Sequence, residues 1–393
     1  MNLRHKPLGF LLLLTVSSLQ AQKAPEAGPP KPGPAFPKKS IAQLKQILNG
    51  SETGRYTVEE MKQLATAHPA WVAAAKVTGH DGHVLESERR FTSIRKIIDG
   101  RYRLVTLRRP DLKEPVHSIS TYHKPTHCYV RWIFTKNSTR AAQYIGITEP
   151  GGRTIAWARF GHPNLQAVSI THQGEDKTRW SQVLFEKNRF RYRLDGSARP
   201  AGKQTPPAET DIQKPDKKTG ALLPTLSLRE ARLIASAPHR DRMDIEEMKV
   251  FFEATRWTIH PQKITQPDGR SFTSNPSDVI VKKVDGKYLV SRTQLPPDVP
   301  LSYVTITTYH KPTRCFVRWM LIDPEGQLVR SIGIRLPGTR QLAWTYRNRN
   351  KTGKLVESVG IETRGTKKVT WSKVTFKDGR FLNRSNGKGI PAP

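Results

Sequence analysis

The residues best suited to contact a charged ligand occur twice in this chain. The stretch from Thr121 to Phe134 reads TYHKPTHCYVRWIF, and 187 residues later a second stretch reads TYHKPTRCFVRWML, with ten of the fourteen positions identical. Arginine offers a planar fork that matches carboxylate, sulfate or phosphate, and an aromatic ring offers a stacking surface. The candidate ligand-binding residues are therefore the repeated cations and aromatics: His123, Lys124, Arg131, Trp132, Arg153 and Trp157 in the first copy, and His310, Lys311, Arg318, Trp319, Arg340 and Trp344 in the second.

Each of these residue types also has a purely structural interpretation. A histidine at the tip of a hairpin is commonly solvated, and the stem of an arginine commonly packs against a tryptophan ring on the outer surface of a sheet. Arg270 and Arg314 occupy, in the second copy, the positions that His83 and His127 occupy in the first. The histidines are therefore not repeated as a set, and we predict no metal site. The chain contains no recognisable nucleophile, phosphate-loop or dinucleotide motif, and we predict no catalytic residue and no cofactor.

Charge is the outlying property of the composition. The 66 Lys and Arg against 33 Asp and Glu give a formal net charge of +33 over 393 residues. Such a field favours encounter with anionic partners, among them acidic polysaccharides, other polyanions and anionic lipid surfaces. The charge narrows the class of partner but carries no information about the fold.

The chain divides into five segments by composition. Residues 1–21 have the charged start, short apolar run and small residues of an export signal, which predicts a secreted or periplasmic protein without a transmembrane segment in the mature chain. Proline-rich segments at 22–39 and 197–224 predict a tether and an interdomain linker. The two copies then occupy residues 40–196 and 225–393.

Within each copy, the residue pattern predicts short helices followed by strands. Ser40 to Leu48 and Ser227 to Ala235 show helical spacing, and some seven to nine closely spaced strands with polar turns follow in each copy. A meander of that length must close or fold over, since open edges invite aggregation. The predicted fold class is mainly β, with two tandem antiparallel β-barrels, and the alternative is a bent β-sandwich.

The order of these strands carries a resemblance. The turn DGRYRLV, the strands around the TYHKPT corner, the Ile-Ala-Trp strand and the final WSQVLF resemble the lipocalin-like β-barrel domains of exported bacterial proteins, over about 71–195 and 257–386. The resemblance implies barrels that bind small apolar ligands. Such a ligand requires the face of Cys128, Val130 and Trp132 to line the lumen. Alternation along that strand favours a small buried thiol at Cys128 over a disulfide between the copies.

Together these features predict an exported, non-enzymatic binding protein built from two duplicated β-barrels. Two ligand classes compete, a small apolar ligand inside each barrel and an anionic polymer on the surface. An enzyme acting on acidic glycans and a structural protein of the cell envelope are the alternatives. The sequence leaves the oligomeric state open.

Overall fold

The computed structural model describes residues 33–79, 83–109, 112–162, 164–202, 220–251, 254–294, 302–323, 326–350 and 352–392, without the side chains of 85–89 and 302. The predicted export signal, most of the first proline-rich segment and the middle of the second lie outside these residues. The tether and linker assignments for those parts therefore stay predictions.

The first copy forms a closed barrel in which every strand is antiparallel to its two neighbours in the chain, and the first strand pairs with the last. Two short helices precede it, α1 at Ile41–Leu48 and α2 at Glu59–Lys62. The ten strands are β1 Ala70–Thr78, β2 Val84–Ile98, β3 Tyr102–Arg108, β4 Val116–His123, β5 Cys128–Thr135, β6 Ala142–Thr148, β7 Thr154–Arg159, β8 Leu165–Gln173, β9 Thr178–Glu186 and β10 Arg189–Pro200.

The second copy repeats this barrel with its first and second strands each divided into two shorter segments, β11 with β12 and β13 with β14. Helix α3, Leu228–Ser236, and a 3-10 turn at Glu246–Phe251 precede the strands. Both β11 and β12 pair with the last strand, which closes the ring. The strands are β11 Arg256–Ile259, β12 Lys263–Thr265, β13 Ser271–Thr273, β14 Ser277–Val284, β15 Tyr288–Gln294, β16 Ser302–His310, β17 Cys315–Asp323, β18 Gln327–Arg335, β19 Gln341–Arg349, β20 Leu355–Arg364, β21 Val369–Lys377 and β22 Arg380–Pro391.

The predicted fold class is confirmed, with a correction in strand number. Each barrel has ten strand positions instead of the seven to nine expected, and the sandwich alternative is wrong because both sheets close.

The Asp-Gly turns that join the second and third strands of each barrel have positive φ at both residues, 52° at Asp99 and 64° at Gly100 in barrel 1. Such a turn matches the twist of a tight hairpin, which explains why this dipeptide recurs.

The predicted leading helices are also confirmed. Ser40 and Ser227 cap α1 and α3, each in a reciprocal arrangement with the side chain three residues later. Helix α1 buries Leu44 and Ile47 against the outer wall. Cys128 and Cys315 are buried free thiols, as the strand pattern predicts.

The two barrels pack against each other about an approximate two-fold axis. Strands β6 to β9 of barrel 1 contact β18 to β21, their counterparts in barrel 2. Thr154 donates a hydrogen bond of 2.8 Å to the side-chain oxygen of Gln341, the residue at the equivalent position of the other copy. A contact between equivalent positions is what a two-fold axis produces, so the duplicated chain is arranged like a symmetric dimer.

Each copy also extends its leading segment onto the other barrel. In the first copy, the amide of Phe36 donates to Gly379 at the β21–β22 turn over 2.9 Å. In the second copy, the amide of Phe190 beside the β9–β10 turn donates to Ala221 over 3.0 Å. The ends of both proline-rich segments are therefore built into the contact between the barrels.

Candidate functional site

A cavity of about 360 Å³ lies inside barrel 2. Arg318 and Met320 of β17 line it, whereas Cys315, Val317 and Trp319 alternate with them and belong to the hydrophobic cluster on the outer wall. Successive side chains of a strand point to opposite faces, so only one of these two sets can face the lumen. The Cys-Val-Trp face, which a small apolar ligand was expected to require in the lumen, therefore does not line it, and a ligand in the lumen meets the face of Arg318 and Met320 instead.

The same arrangement holds in barrel 1. Cys128, Val130 and Trp132 belong to the cluster that contains Leu44 and Ile47 of α1, whereas Tyr129 and Trp157 form a separate cluster with the α2 segment. These two faces of β5 correspond to the two faces of β17. The outer wall is apolar because a helix and the second barrel bury it, and this burial gives it the composition of a core.

Each barrel interior contains a sandwich of glycine, tryptophan and arginine. A Cβ atom on Gly333 would lie 2.5 Å from the Trp344 ring, so the ring lies directly over this glycine of the neighbouring strand. The guanidinium of Arg318 stacks on Trp344, 3.9 Å from the ring centroid. Gly146, Trp157 and Arg131 repeat the arrangement in barrel 1, with 3.7 Å between guanidinium and ring. The glycines explain why the Gly-Ile and Ala-Trp patterns recur together.

We expect Gly333→Val to displace Trp344 and to lower the free energy of unfolding by about 1–3 kcal/mol, the usual cost of overpacking. Urea denaturation measures this effect. Gly54→Val is the matched control, because a Cβ at Gly54 meets no atom within 4 Å. Equal effects of the two substitutions would contradict the sandwich.

Charged groups of barrel 2 converge on one carboxylate in the cavity. Both terminal nitrogens of Arg318 lie 3.3 Å from Glu362, and Arg364 also donates to that carboxylate. Burial disfavours the ionised form, but Arg364 and Arg318 outweigh it and hold the pKa of Glu362 below its ordinary value. The carboxylate therefore stays negative at neutral pH and neutralises only part of the surrounding positive charge.

Lys373 is the third cation that lines this cavity. Burial, together with the Arg318 guanidinium, lowers the pKa of Lys373 to about 8, so the ammonium group remains mostly protonated at pH 7. Among the described residues that line the cavity, three cations thus face a single carboxylate. Trp257, Trp344 and Trp371 provide the apolar part of the same wall.

The structure brings together only part of the predicted ligand-binding set. Arg131 meets Trp157 and Arg318 meets Trp344, in each case inside a barrel instead of on the surface. The remaining residues are dispersed. Lys124, Arg153, Lys311 and Arg340 are exposed, and Trp132 and Trp319 lie on the outer walls. Arg153 forms an ion pair of 3.0 Å with exposed Glu175.

The histidines of the repeated corner stabilise its turn. His123 Nδ1 lies 2.8 Å from the Thr126 hydroxyl, and His310 Nδ1 lies 2.9 Å from the Thr313 hydroxyl. Burial lowers the pKa of both histidines, which favours the neutral ring. Both are half-buried, so the expectation of a solvated tip histidine is only partly met.

The corner also connects the barrels. Arg384 of barrel 2 donates to the carbonyl of His127, the residue that ends the corner of barrel 1. Its counterpart Arg193 donates to the carbonyl of Arg314 at the corner of barrel 2. The corner residues His127 and Arg314 have positive φ, 50° and 51°, which directs their carbonyls outward. The conspicuous motif is therefore part of the contact between the two copies.

Sequence reasoning missed Glu362, Arg364 and Lys373. It searched for residues shared by both copies, and the first copy has Thr171, Gln173 and Gln182 at these positions. Their signal was charge on two neighbouring strands, β20 and β21, that the first copy lacks at the same positions. Within the described residues, no group of three or more His, Cys, Asp or Glu is placed to hold a metal ion. Among the described helices, none has the length and apolar character needed to cross a membrane.

Comparisons with known proteins add little to this geometry. No family model matches the chain, and no curated protein matches it significantly. Among solved structures, a protein of unknown function from Nostoc punctiforme, assigned to the DUF3598 family, aligns with a TM-score of 0.39 and 11% identity over 83% of this chain and 96% of its own. A mutant of the Rhodopseudomonas blastica porin aligns with a TM-score of 0.19 and 7% identity, over 82% and 98% of the two chains. By its own structure, the chain is a tandem pair of closed ten-stranded antiparallel β-barrels.

Proposed function

We propose that this chain is an exported, non-enzymatic binding protein that encloses a small ligand in the manner of lipocalin-like barrels. The observation that carries the proposal is the cavity of about 360 Å³ inside barrel 2, which is lined by three tryptophans. Ligand sites are typically concave, mostly apolar cavities of about 300–1,000 Å³ with a few polar groups that orient the ligand. The cavity meets each part of that description.

The charges of the cavity define the polar end of the ligand. Arg318, Arg364 and Lys373 carry more positive charge than Glu362 neutralises. A charged group away from water is stable only when it is paired, so the excess positive charge favours a ligand with an anionic group. We propose a small aromatic or apolar carboxylate, sulfonate or similar organic anion, with its ring against the tryptophans and its anionic group at Lys373.

The probe for this proposal is 1-naphthalenesulfonate, titrated into the full chain by calorimetry at pH 7. We expect Lys373→Gln, which introduces the residue found at the equivalent position of barrel 1, to weaken sulfonate binding at least tenfold. A charge-assisted hydrogen bond contributes about 1.5–3 kcal/mol, and about 1.4 kcal/mol corresponds to a factor of ten. Binding of the neutral probe 1-naphthalenemethanol should change much less.

A cavity-filling variant distinguishes binding inside barrel 2 from binding on the surface. Ser331 lines the cavity, and Ser331→Phe is expected to remove one binding site per chain for both probes while circular dichroism shows the same β-sheet content. Unchanged affinity and stoichiometry in both variants would contradict the proposal.

An anionic polymer on the surface is the second candidate, and the net charge of +33 favours it. Lys124, Arg153, Lys311 and Arg340 are the predicted cations that lie exposed on the surface, where such a polymer would bind. Retention on immobilised heparin that survives near-physiological salt and is unaffected by Ser331→Phe would support this function. Surface ion pairing of this kind weakens steeply as salt screens it.

A further inference from the structure

The interior of barrel 1 contains three arginines on neighbouring strands. Arg103 of β3 is opposite Ser120 of β4, and Ser120 is opposite Arg131 of β5. The side chains of Arg103 and Arg131 therefore lie on the same face of the sheet. Arg131 stacks on Trp157, which fixes this face as the interior one. Arg95 of β2 completes the group, since it stacks on Trp71, 3.9 Å from the ring centroid.

A polar bridge places Arg95 and Arg103 close together. Arg95 Nη2 donates to the Thr178 hydroxyl over 3.4 Å, and Arg103 Nη2 donates to Gln173 Oε1 over 3.3 Å. Thr178 in turn donates to Gln173 over 3.5 Å. The two guanidinium groups are thus connected through two hydrogen-bonded side chains.

No carboxylate among the described residues neutralises these arginines. Nε and Nη1 of Arg95 are buried without a hydrogen-bond partner, and Arg103 is only 5% exposed. Burial and the Arg103 guanidinium lower the pKa of Arg95 to about 8 and of Arg131 to about 9, so both remain positively charged at neutral pH. Glu60 of the α2 segment influences the pKa of Tyr122 and His127 instead. Of the three arginines, Arg103 is buried and Arg95 and Arg131 are half-buried. Such charges without a counter-ion are costly unless an anion joins them.

Barrel 2 shows that the fold does not require these charges. Val281 and Leu289 occupy the strand positions of Arg95 and Arg103, as the pairing registers of the two barrels show. The arginine common to both barrels is neutralised in barrel 2 by Glu362, where barrel 1 has Thr171. A purely structural role would not need two additional buried arginines in one copy only.

We propose that the interior of barrel 1 is a binding site for a dianionic phosphate group, either free or carried as a monoester. The buried nitrogens of Arg95 that have no partner leave N–H donors for charge-assisted hydrogen bonds to the oxygens of such a group. A phosphate monoester carries about −1.5 to −2 charges near pH 7, which suits three guanidinium groups better than a single carboxylate does. This site is independent of the barrel 2 cavity, so either proposal can fail alone.

The test uses calorimetry in a chloride buffer free of other oxyanions. Inorganic phosphate is titrated into the full chain, and phenyl phosphate into the full chain with Ser331→Phe, which blocks the barrel 2 cavity to aromatic anions. We expect one site per chain and at least tenfold weaker binding by Arg95→Val with Arg103→Leu, which carries the residues of barrel 2. Without phosphate, this variant should melt at no lower temperature than the natural chain, because it removes two buried charges. Binding of both probes assigns the site to phosphate itself, and binding of phenyl phosphate alone assigns it to a monoester; both outcomes support the proposal.

Two further variants keep the test decisive. Arg95→Lys retains the charge but loses the planar guanidinium and its several N–H donors, and it should also weaken binding while preserving the fold. Arg242→Ala with Arg270→Ala removes the same number of positive charges from exposed positions, with side chains 88% and 73% exposed, and should leave binding within twofold. Absence of phosphate binding by the natural chain, or equal weakening by the interior and surface variants, would overturn the proposal.

Discussion

Replacement of Phe376 by alanine is expected to lower the melting temperature, with both barrels still unfolding in a single transition. Phe376 is 1% exposed and packs edge-on against Phe36 and Phe160, with ring centroids 5.5 Å away in each case. Phe36 precedes barrel 1 in the chain, Phe160 follows β7, and Phe376 belongs to β21. The truncation therefore removes the ring that joins three parts of one continuous core.

The expected loss is about 3–5 kcal/mol of unfolding free energy, the usual cost of removing a buried phenylalanine side chain. Native-state hydrogen exchange measures its extent, and amides in strands of both barrels should lose protection together. Leu233→Ala is the control, since Leu233 is 60% exposed and should contribute less than about 0.5 kcal/mol. Persistent protection of barrel 1 after barrel 2 has opened would show that the barrels are independent.

Replacement of Glu362 by glutamine should be similarly severe. The carboxylate contacts Arg318 at 3.3 Å and also accepts from Arg364, and it is 7% exposed. Removing one partner of a buried ion pair leaves uncompensated charge and costs about 3–5 kcal/mol. Denaturation at pH 7 measures the loss. Glu175→Gln breaks an exposed pair and should cost less than about 1 kcal/mol.

The same carboxylate gives the protein an acid-sensitive contribution to stability. Because the pKa of Glu362 is lowered in the folded state, its contribution is complete above the ordinary pKa of a glutamate and is lost as pH falls through the folded-state value. Glu362→Gln should therefore flatten the decline in stability below about pH 4. An unchanged pH profile would show that the carboxylate is not held ionised by the arginines.

The duplication allowed the fold to be predicted from sequence, and it also misdirected the search for the site. Repeated turns and tryptophans predict two equivalent barrels, and the structure contains them. The inward face of β5 could not be identified from the sequence, because alternation indicates two faces without indicating which one is inward. Helix α1 and the second barrel bury the outer wall and make it apolar, so an apolar face no longer marks the interior.

The site itself depends on differences between the copies. Uncharged residues in the other copy occupy the positions of Arg95 and Arg103 of barrel 1 and of Glu362 and Lys373 of barrel 2. Their significance comes from convergence across strands that are distant in the chain, which spacing does not reveal. Likewise, the proline-rich composition around Phe36 predicted a tether, and only the fold shows that this chain pairs with barrel 2.

The most direct test of the central claim is the position of a bound organic anion. Crystals soaked with 4-bromobenzenesulfonate allow the bromine to be located by its anomalous scattering. If the ligand binds inside the barrel, we expect a bromine peak in the barrel 2 cavity lined by Trp257, Trp344 and Trp371, with the sulfonate within hydrogen-bonding distance of Lys373. The peak should be absent in Ser331→Phe. Bromine peaks confined to exposed basic residues, with none inside barrel 2, would contradict the account.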